Sequence, residues 1–171
     1  GPGGEGVAFE LPDVWLDVYE VTNKQYKQLV DQGGYRTQRF WEQPFVKPAP
    51  TLSFDEAMAL FRDTTGRPGP ATWELESYPE GQADLPVSGV SWHEAAAYAS
   101  FAGKRLPTYH EWYRAAGQGL FSEILTQSNF HGRGPEKAGA NQGMSLWGHY
   151  DMAGNVKEWV WNETAVEKGR R

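Results

Sequence analysis

The stretch Asp151-Met152-Ala153-Gly154-Asn155-Val156-Lys157-Glu158-Trp159 sets the reading of the whole chain. Two carboxylates, Asp151 and Glu158, flank a turn signal at Ala153-Gly154. A chain that turns there and then extends can aim backbone carbonyls at the same point as the two side chains. Hard cations such as calcium take about six to eight oxygens of this mixed kind. The same residues also fit a plain turn ahead of a Trp-rich strand, with the acids simply solvated. On spacing alone both readings stand.

Outward from that turn the chain is punctuated by a repeated device. Thr22-x-x-Gln25, Ser53-x-x-Glu56, Ser91-x-x-Glu94 and Thr108-x-x-Glu111 are capping boxes, each followed by apolar residues at helical spacing. They predict four short helices. Tyr26, Leu29 and Val30 face inward on the first, and Ala57, Leu60 and Phe61 on the second, while Gly33-Gly34, Gly103 and Gly117 act as stops. Strands are expected at residues 9–21, where Val14, Leu16 and Val18 alternate with Trp15, Asp17 and Tyr19, and at residues 156–161, where Trp159 and Trp161 share a face. Residues 64–84, rich in Pro-Gly turns, read as a surface excursion anchored by Trp73, Leu75 and Tyr78. Residues 118–146 read as one long structured loop with a short helix around 122–126. Few short strands among several short helices point to an irregular α+β domain.

Composition bounds the function. In 171 residues there is room for one domain, and 8 Trp, 8 Tyr and 8 Phe supply a core. The net charge of -6, with the basic residues scattered apart from Lys168, Arg170 and Arg171, argues against nucleic acid or an anionic membrane as partner. The count of 0 cysteines removes disulfides, thiolate metal sites and a cysteine nucleophile from these residues. No apolar run approaches the roughly 18 residues that span a bilayer, and the N-terminal residues lack a charged and apolar signal pattern. A soluble domain is expected, in a bacterial cytoplasm or as an extracytoplasmic part of a membrane protein.

The search for catalytic groups is sparse. His93, His110, His131 and His149 are not at ligand spacing, and His110-Glu111 fails as a zinc helix because the second histidine position is Arg114. His93, on the first turn of a capped helix, reads as an exposed imidazole. His131 and His149 lie in loops that could meet. Ser88-Gly89-Val90-Ser91 reads as a turn and cap, not a nucleophile elbow, and Gly132-Arg133-Gly134 is too short for a phosphate loop.

Four blocks in order carry a resemblance: Tyr19-Glu20-Val21-Thr22-Asn23 with Gly33-Gly34-Tyr35; Pro86-Val87-Ser88-Gly89-Val90-Ser91-Trp92 with Ala96 and Tyr98; Ala102-Gly103-Lys104-Arg105-Leu106-Pro107-Thr108 with Glu111-Trp112; and Tyr150 with the opening stretch. Together they resemble the sulfatase-modifying-factor family, the formylglycine-generating-enzyme-like branch of the C-type-lectin-like folds. The resemblance implies a structural calcium ion held by the side chains of Asp151 and Glu158 and the carbonyls of Gly154 and Val156. Asp151 stands where relatives can carry Asn, which keeps a ligand oxygen and adds charge. Asn129 and Phe130 are the candidates for a second calcium site, although the loop after them is short and lacks the matching Asp.

Two departures from the family pattern shape the functional expectation. Formylglycine-generating enzymes hold copper with a cysteine pair, so copper and that oxidase chemistry are not expected of a chain without cysteine. The Gly-Gly-Ser-Trp and Gly-Phe-Arg blocks that complete the family's fold are also missing. The resemblance therefore implies a single domain over residues 1–171, incomplete on its C-terminal side, with an open sheet edge. Residues 40–81 resemble the version of the domain attached to bacterial serine/threonine protein kinases, and the chain has no kinase motif of its own. The leading expectation is a noncatalytic, calcium-stabilised sensor or recruitment domain that binds a protein or small-molecule ligand in a larger bacterial signalling protein. Alternatives are a fragment of an oxidoreductase whose cysteines lie beyond Arg171, and a retroelement-diversified display scaffold.

Overall fold

The computed structural model describes residues 12–45, 51–117, 124–130, 132 and 134–161. All four capping boxes form, and they open helices α1 (Asn23–Asp31), α2 (Phe54–Met58), α3 (Trp92–Phe101) and α4 (Tyr109–Ala115). In each, the Ser or Thr oxygen accepts from the N–H three residues on. The Gln or Glu at that position accepts in return from the cap's own N–H, at 2.7 to 2.8 Å. Each box satisfies two backbone donors that a helix start would leave unpaired. Gly33 and Gly103, both at φ +70°, stop α1 and α3 as expected. Helix α2 is shorter than its pattern suggests: it ends at Met58, so Leu60 falls beyond it and is 55% exposed, while Phe61 still packs against the core.

The main core gathers Tyr26 and Leu29 of α1, Ala97 of α3, Ala57 and Met58 of α2, and Tyr35, Trp41, Phe45 and Trp73 from the connections. Its aromatic rings stack, Tyr26 on Tyr98 at 5.3 Å and Trp41 on Phe61 at 5.4 Å. One acid is buried among them. Glu94 closes the α3 capping box with one oxygen and accepts from Tyr35 Oη at 2.7 Å with the other, while Tyr35 Oη and Tyr26 Oη lie 3.0 Å apart. Burial raises the Glu94 carboxyl against the pull of Ser91 and Tyr35.

The excursion at 64–84 has its own organiser. The buried Asp63 carboxylate accepts from Thr65 N and Oγ1, Arg67 N and Glu76 N at 2.7 to 3.0 Å. Trp73, 1% exposed, anchors it by donating from Nε1 to Asn23 Oδ1 at 3.0 Å. Tyr78 packs beside Trp73, but Leu75, expected to pack, is 57% exposed and held at φ +52° in the tight turn that bridges Glu74 to Ser77.

The two expected strands do not form among the described residues, and residues 9–11 lie outside them. Pairing is limited to isolated bridges such as Thr22 with Pro86 and Met144 with Tyr150. The alternating pattern is present, but a strand exists only where a neighbour completes its ladder, and neither 12–19 nor 157–160 has one among the described residues. Of the expected short helix, residues 122 and 123 lie outside the described ones; Ile124 and Leu125 are helical and residue 126 is a turn. Among the described residues no helix is long and apolar enough to cross a membrane.

The α4 cap yields a prediction about acid. Arg105 grips both oxygens of Glu111 at 2.7 and 2.8 Å, and with the Thr108 N–H it holds that carboxyl down at about 2. A carboxyl depressed on folding stabilises fully above its unfolded value of about 4.5 and loses that contribution as pH falls toward its folded value. Glu111→Gln is expected to lower the melting temperature at pH 6 and to flatten its fall between pH 4.5 and 2. An acid limb of unchanged steepness in thermal melts would count against this role.

Candidate functional site

The C-terminal turn is built from a hairpin and a run of left-handed residues. Met144 bridges Tyr150, Ser145 N–H donates to His149 O at 2.8 Å, and Tyr150 N–H then donates to Val18 O at 2.9 Å, tying the turn to the N-terminal segment. Asp151, Gly154 and Asn155 follow with φ of +56°, +85° and +56°. Position 154 has to be glycine, because a Cβ there would sit 2.7 Å from the Asn129 carbonyl oxygen. The turn thus falls at Gly154-Asn155, one residue later than the Ala153-Gly154 signal suggests.

Asn155 is the hub. Its backbone N–H donates to Asn129 O at 3.0 Å, and its side-chain amide donates to Glu20 Oε2 at 2.6 Å and Glu136 O at 3.2 Å. Its Oδ1 accepts from Glu136 N and Asn129 Nδ2 at 2.8 and 3.1 Å. Asn tolerates a left-handed backbone better than other non-glycine residues, so one residue supplies both the turn and its bracing.

Three carboxyls converge around it. Asp151, 2% exposed, accepts from Gly139 N–H at 2.6 Å and Asn141 Nδ2 at 3.3 Å. Glu20, 8% exposed, accepts from Asn155 and from Val156 N–H at 3.3 Å. Glu158 is exposed as a residue, while its carboxyl turns inward to accept from Trp112 Nε1 of α4. Burial pushes Glu20 up to about 8 against the pull of Asn155, and the charges of Asp151 and Glu158 add to the rise. Burial and the Asp151 charge push Glu158 up to about 7 against the Trp112 hydrogen bond. Among the described residues none of the three is paired with a Lys, Arg or His.

The arrangement brings Asp151 and Glu158 within reach of each other's charge, and the carbonyls of Gly154 and Val156 accept no hydrogen bond from any described residue. These acids have no basic partner and these carbonyls no donor among the described residues, and both are oxygens of the kind that calcium takes. Among the described residues no group of three or more His, Cys, Asp or Glu side chains is disposed to hold a metal ion. A calcium ion here would therefore depend on the mixture of side-chain and backbone oxygens. Asn129 lies beside this turn, its carbonyl taken by Asn155 and its amide by Gly134 O and Asn155, and Phe130 is 57% exposed.

Among the described residues no hydrogen bond or ion pair joins a histidine side chain to Glu20, Asp151 or Glu158. His93 is not an exposed imidazole: its ring packs on Phe45 at 4.8 Å, because α3 carries it against the core. His149 has Nδ1 buried without a hydrogen-bond partner among the described residues, and His131, like Arg133, lies outside them. Sequence reasoning gave no chemical role to Glu20 or Asn155. Their one signal was that each sits in a block shared with a family.

Residues 6–170 match the Sulfatase-modifying factor enzyme 1-like domain. The chain belongs to this family. Its relatives include a mouse protein named "Inactive C-alpha-formylglycine-generating enzyme 2", 30% identical over 94% of this chain and 62% of that protein. A Thermomonospora curvata protein named "Formylglycine-generating enzyme" is 33% identical over 91% and 62%. The "Serine/threonine-protein kinase pkn1" of Chlamydia caviae is 32% identical over 87% of this chain and 22% of the kinase. The chain thus spans less than two thirds of the length of these relatives. A sulfatase-modifying factor domain carries the formylglycine-generating-enzyme type of fold, and here its described part is helical with isolated bridges.

Asn155 separates two causes of turn stability. Asn155→Ala removes the bracing and strains the backbone, at an expected loss of about 2–4 kcal/mol. Asn155→Gly relieves the backbone and still removes the bracing, so it should remain close to the Ala variant in thermal unfolding. Recovery of wild-type stability by the Gly variant would show that the hydrogen bonds contribute little.

Proposed function

We propose that this sulfatase-modifying factor domain is a noncatalytic, calcium-stabilised binding domain that serves as a sensor or recruitment module in a larger bacterial signalling protein. The observation that carries the reading is the Asp151–Glu158 couple, which has no basic partner among the described residues, beside the carbonyls of Gly154 and Val156, which accept no hydrogen bond from them. Bound there, calcium would supply no chemistry of its own; it would neutralise acids that otherwise repel, while Glu158 itself ties the turn to Trp112 of α4. Glu20 and Asn155 hold the turn in shape from behind.

The noncatalytic part draws on the absence of cysteine from all 171 residues, which leaves no thiolate for copper. It also draws on the name "inactive" borne by the mouse relative. The kinase setting draws on Chlamydia relatives named as serine/threonine kinases, in which this domain matches under a quarter of the length of two. An oxidoreductase of the Thermomonospora type would need its cysteines from outside these residues. Copper binding by the parent polypeptide would favour that alternative.

Calcium at a hundred times its dissociation constant is expected to stabilise the domain by about 2.7 kcal/mol, or roughly 5–11 °C in melting temperature. The effect should vanish in Asp151→Ala. It should also be larger at pH 8 than at pH 6, because a Glu158 carboxyl that keeps its proton up to about 7 must release it to the metal. Melting curves unmoved by either calcium or chelator in the wild type would sink the reading.

A further inference from the structure

A cavity of about 190 Å³ lies where α3 meets the segment that follows Arg39. Its wall is made by residues 40–43, by the α3 stripe that carries His93, Ala97 and Ser100, by the link at 103–106 and by Trp161. Side chains four and seven apart on a helix share a face, so α3 presents its part of the wall as one surface. None of the residues proposed for calcium lines this space.

Four polar side chains of the wall are uncommitted. Among the described residues Glu42, Gln43, His93 and Ser100 make no side-chain hydrogen bond or ion pair. Water would satisfy any of them singly; four on one concave wall, with aromatic rings between them, is the pattern of a ligand site. The His93 ring is pinned by Phe45 at 4.8 Å and Trp92 at 5.2 Å, and burial holds it below its usual value. It is therefore neutral at pH 7, with one nitrogen to donate and one to accept.

The charges on the wall favour one sign of ligand. Lys104 is engaged by Asp17 and Arg105 by Glu111, each at 2.7 Å. Arg39 lies over the Phe40 ring at 4.9 Å and does not line the cavity. Glu42 is thus the wall charge left without an opposite partner among the described residues, and it shares the space with Trp161, an indole 40% exposed. A carboxylate beside an open aromatic face attracts a cation. A metal ion fits poorly, because one carboxylate and one imidazole fall short of the four ligands a zinc site needs. The volume equals that of about six water molecules, which admits a compact organic molecule and excludes a peptide.

The geometry points to a binding site for a small organic amine. Its ammonium group sits by Glu42, its apolar body lies between α3 and Trp161, and His93 and Ser100 supply hydrogen bonds to its polar substituents. The site stands whether or not the turn at 151–158 holds calcium.

The test titrates 2-phenylethylamine, 2-phenylethanol and phenylacetate, three molecules of similar size and different charge, into the full native protein. Calorimetry gives the affinity, and NMR of the His93 imidazole, assigned with His93→Asn, gives the place. The amine is expected to bind with a Kd below about 1 mM, to shift the His93 resonances, and to exceed the alcohol and the acid by about tenfold or more. Glu42→Gln should weaken the amine about tenfold and leave the alcohol unchanged. Ser100→Leu, checked for folding by its melting temperature, should fill the space and abolish both. Absence of saturable amine binding overturns the proposal. So do phenylacetate binding as tight as that of the amine, His93 resonances unmoved at saturation, and an amine affinity indifferent to Glu42→Gln.

Discussion

The hydrogen bond from Asn155 to Glu20 joins points 135 positions apart and is the tie on which the rest depends. It is also a costly one to maintain. Glu20 is buried and prefers its proton, Asp151 and Glu158 add like charge, and the turn that presents Asn155 is left-handed. Such a constellation persists only where its surroundings over-determine it. Here they do so through Asn129, Glu136, Gly139 and Asn141, all drawn from the loop that precedes the turn. The loop, the N-terminal segment and the turn therefore order one another, while the helical half of the domain is held by its own aromatic core.

What could be read from the sequence follows range. The four capping boxes are decided within three residues of chain, so Thr22, Ser53, Ser91 and Thr108 could be assigned by inspection. Tyr35 and Glu94 meet across 59 positions, and no local pattern marks either as the other's partner. The failures have the same origin. Leu60 and Leu75 were placed by extrapolated periodicity and packing, but α2 ends before the first and a tight turn reverses at the second. Strand patterns at 12–19 and 157–160 specify a preference for pairing and say nothing about whether a partner is at hand. The oxygens proposed for calcium were named through family blocks, whereas Glu20 and Asn155, which shape the turn, came to light only when distant residues were placed together.

A binding domain and an enzyme can share all of this. The family's relatives bear the names of a formylglycine-generating enzyme, of an inactive one and of a serine/threonine kinase. Function is set by the groups a site carries and not by the frame that holds them.

The Asp63-centred excursion offers a different kind of freedom. Its path is fixed from within, by four hydrogen bonds to one carboxylate and by a single buried indole, so the side chains of Ala71, Glu74 and Leu75 face solvent with little structural duty. Such a loop can be rewritten at its tip without disturbing the interior. It gives the domain a stretch of surface where new recognition could arise by drift, and where grafted epitopes or labels would leave the scaffold intact.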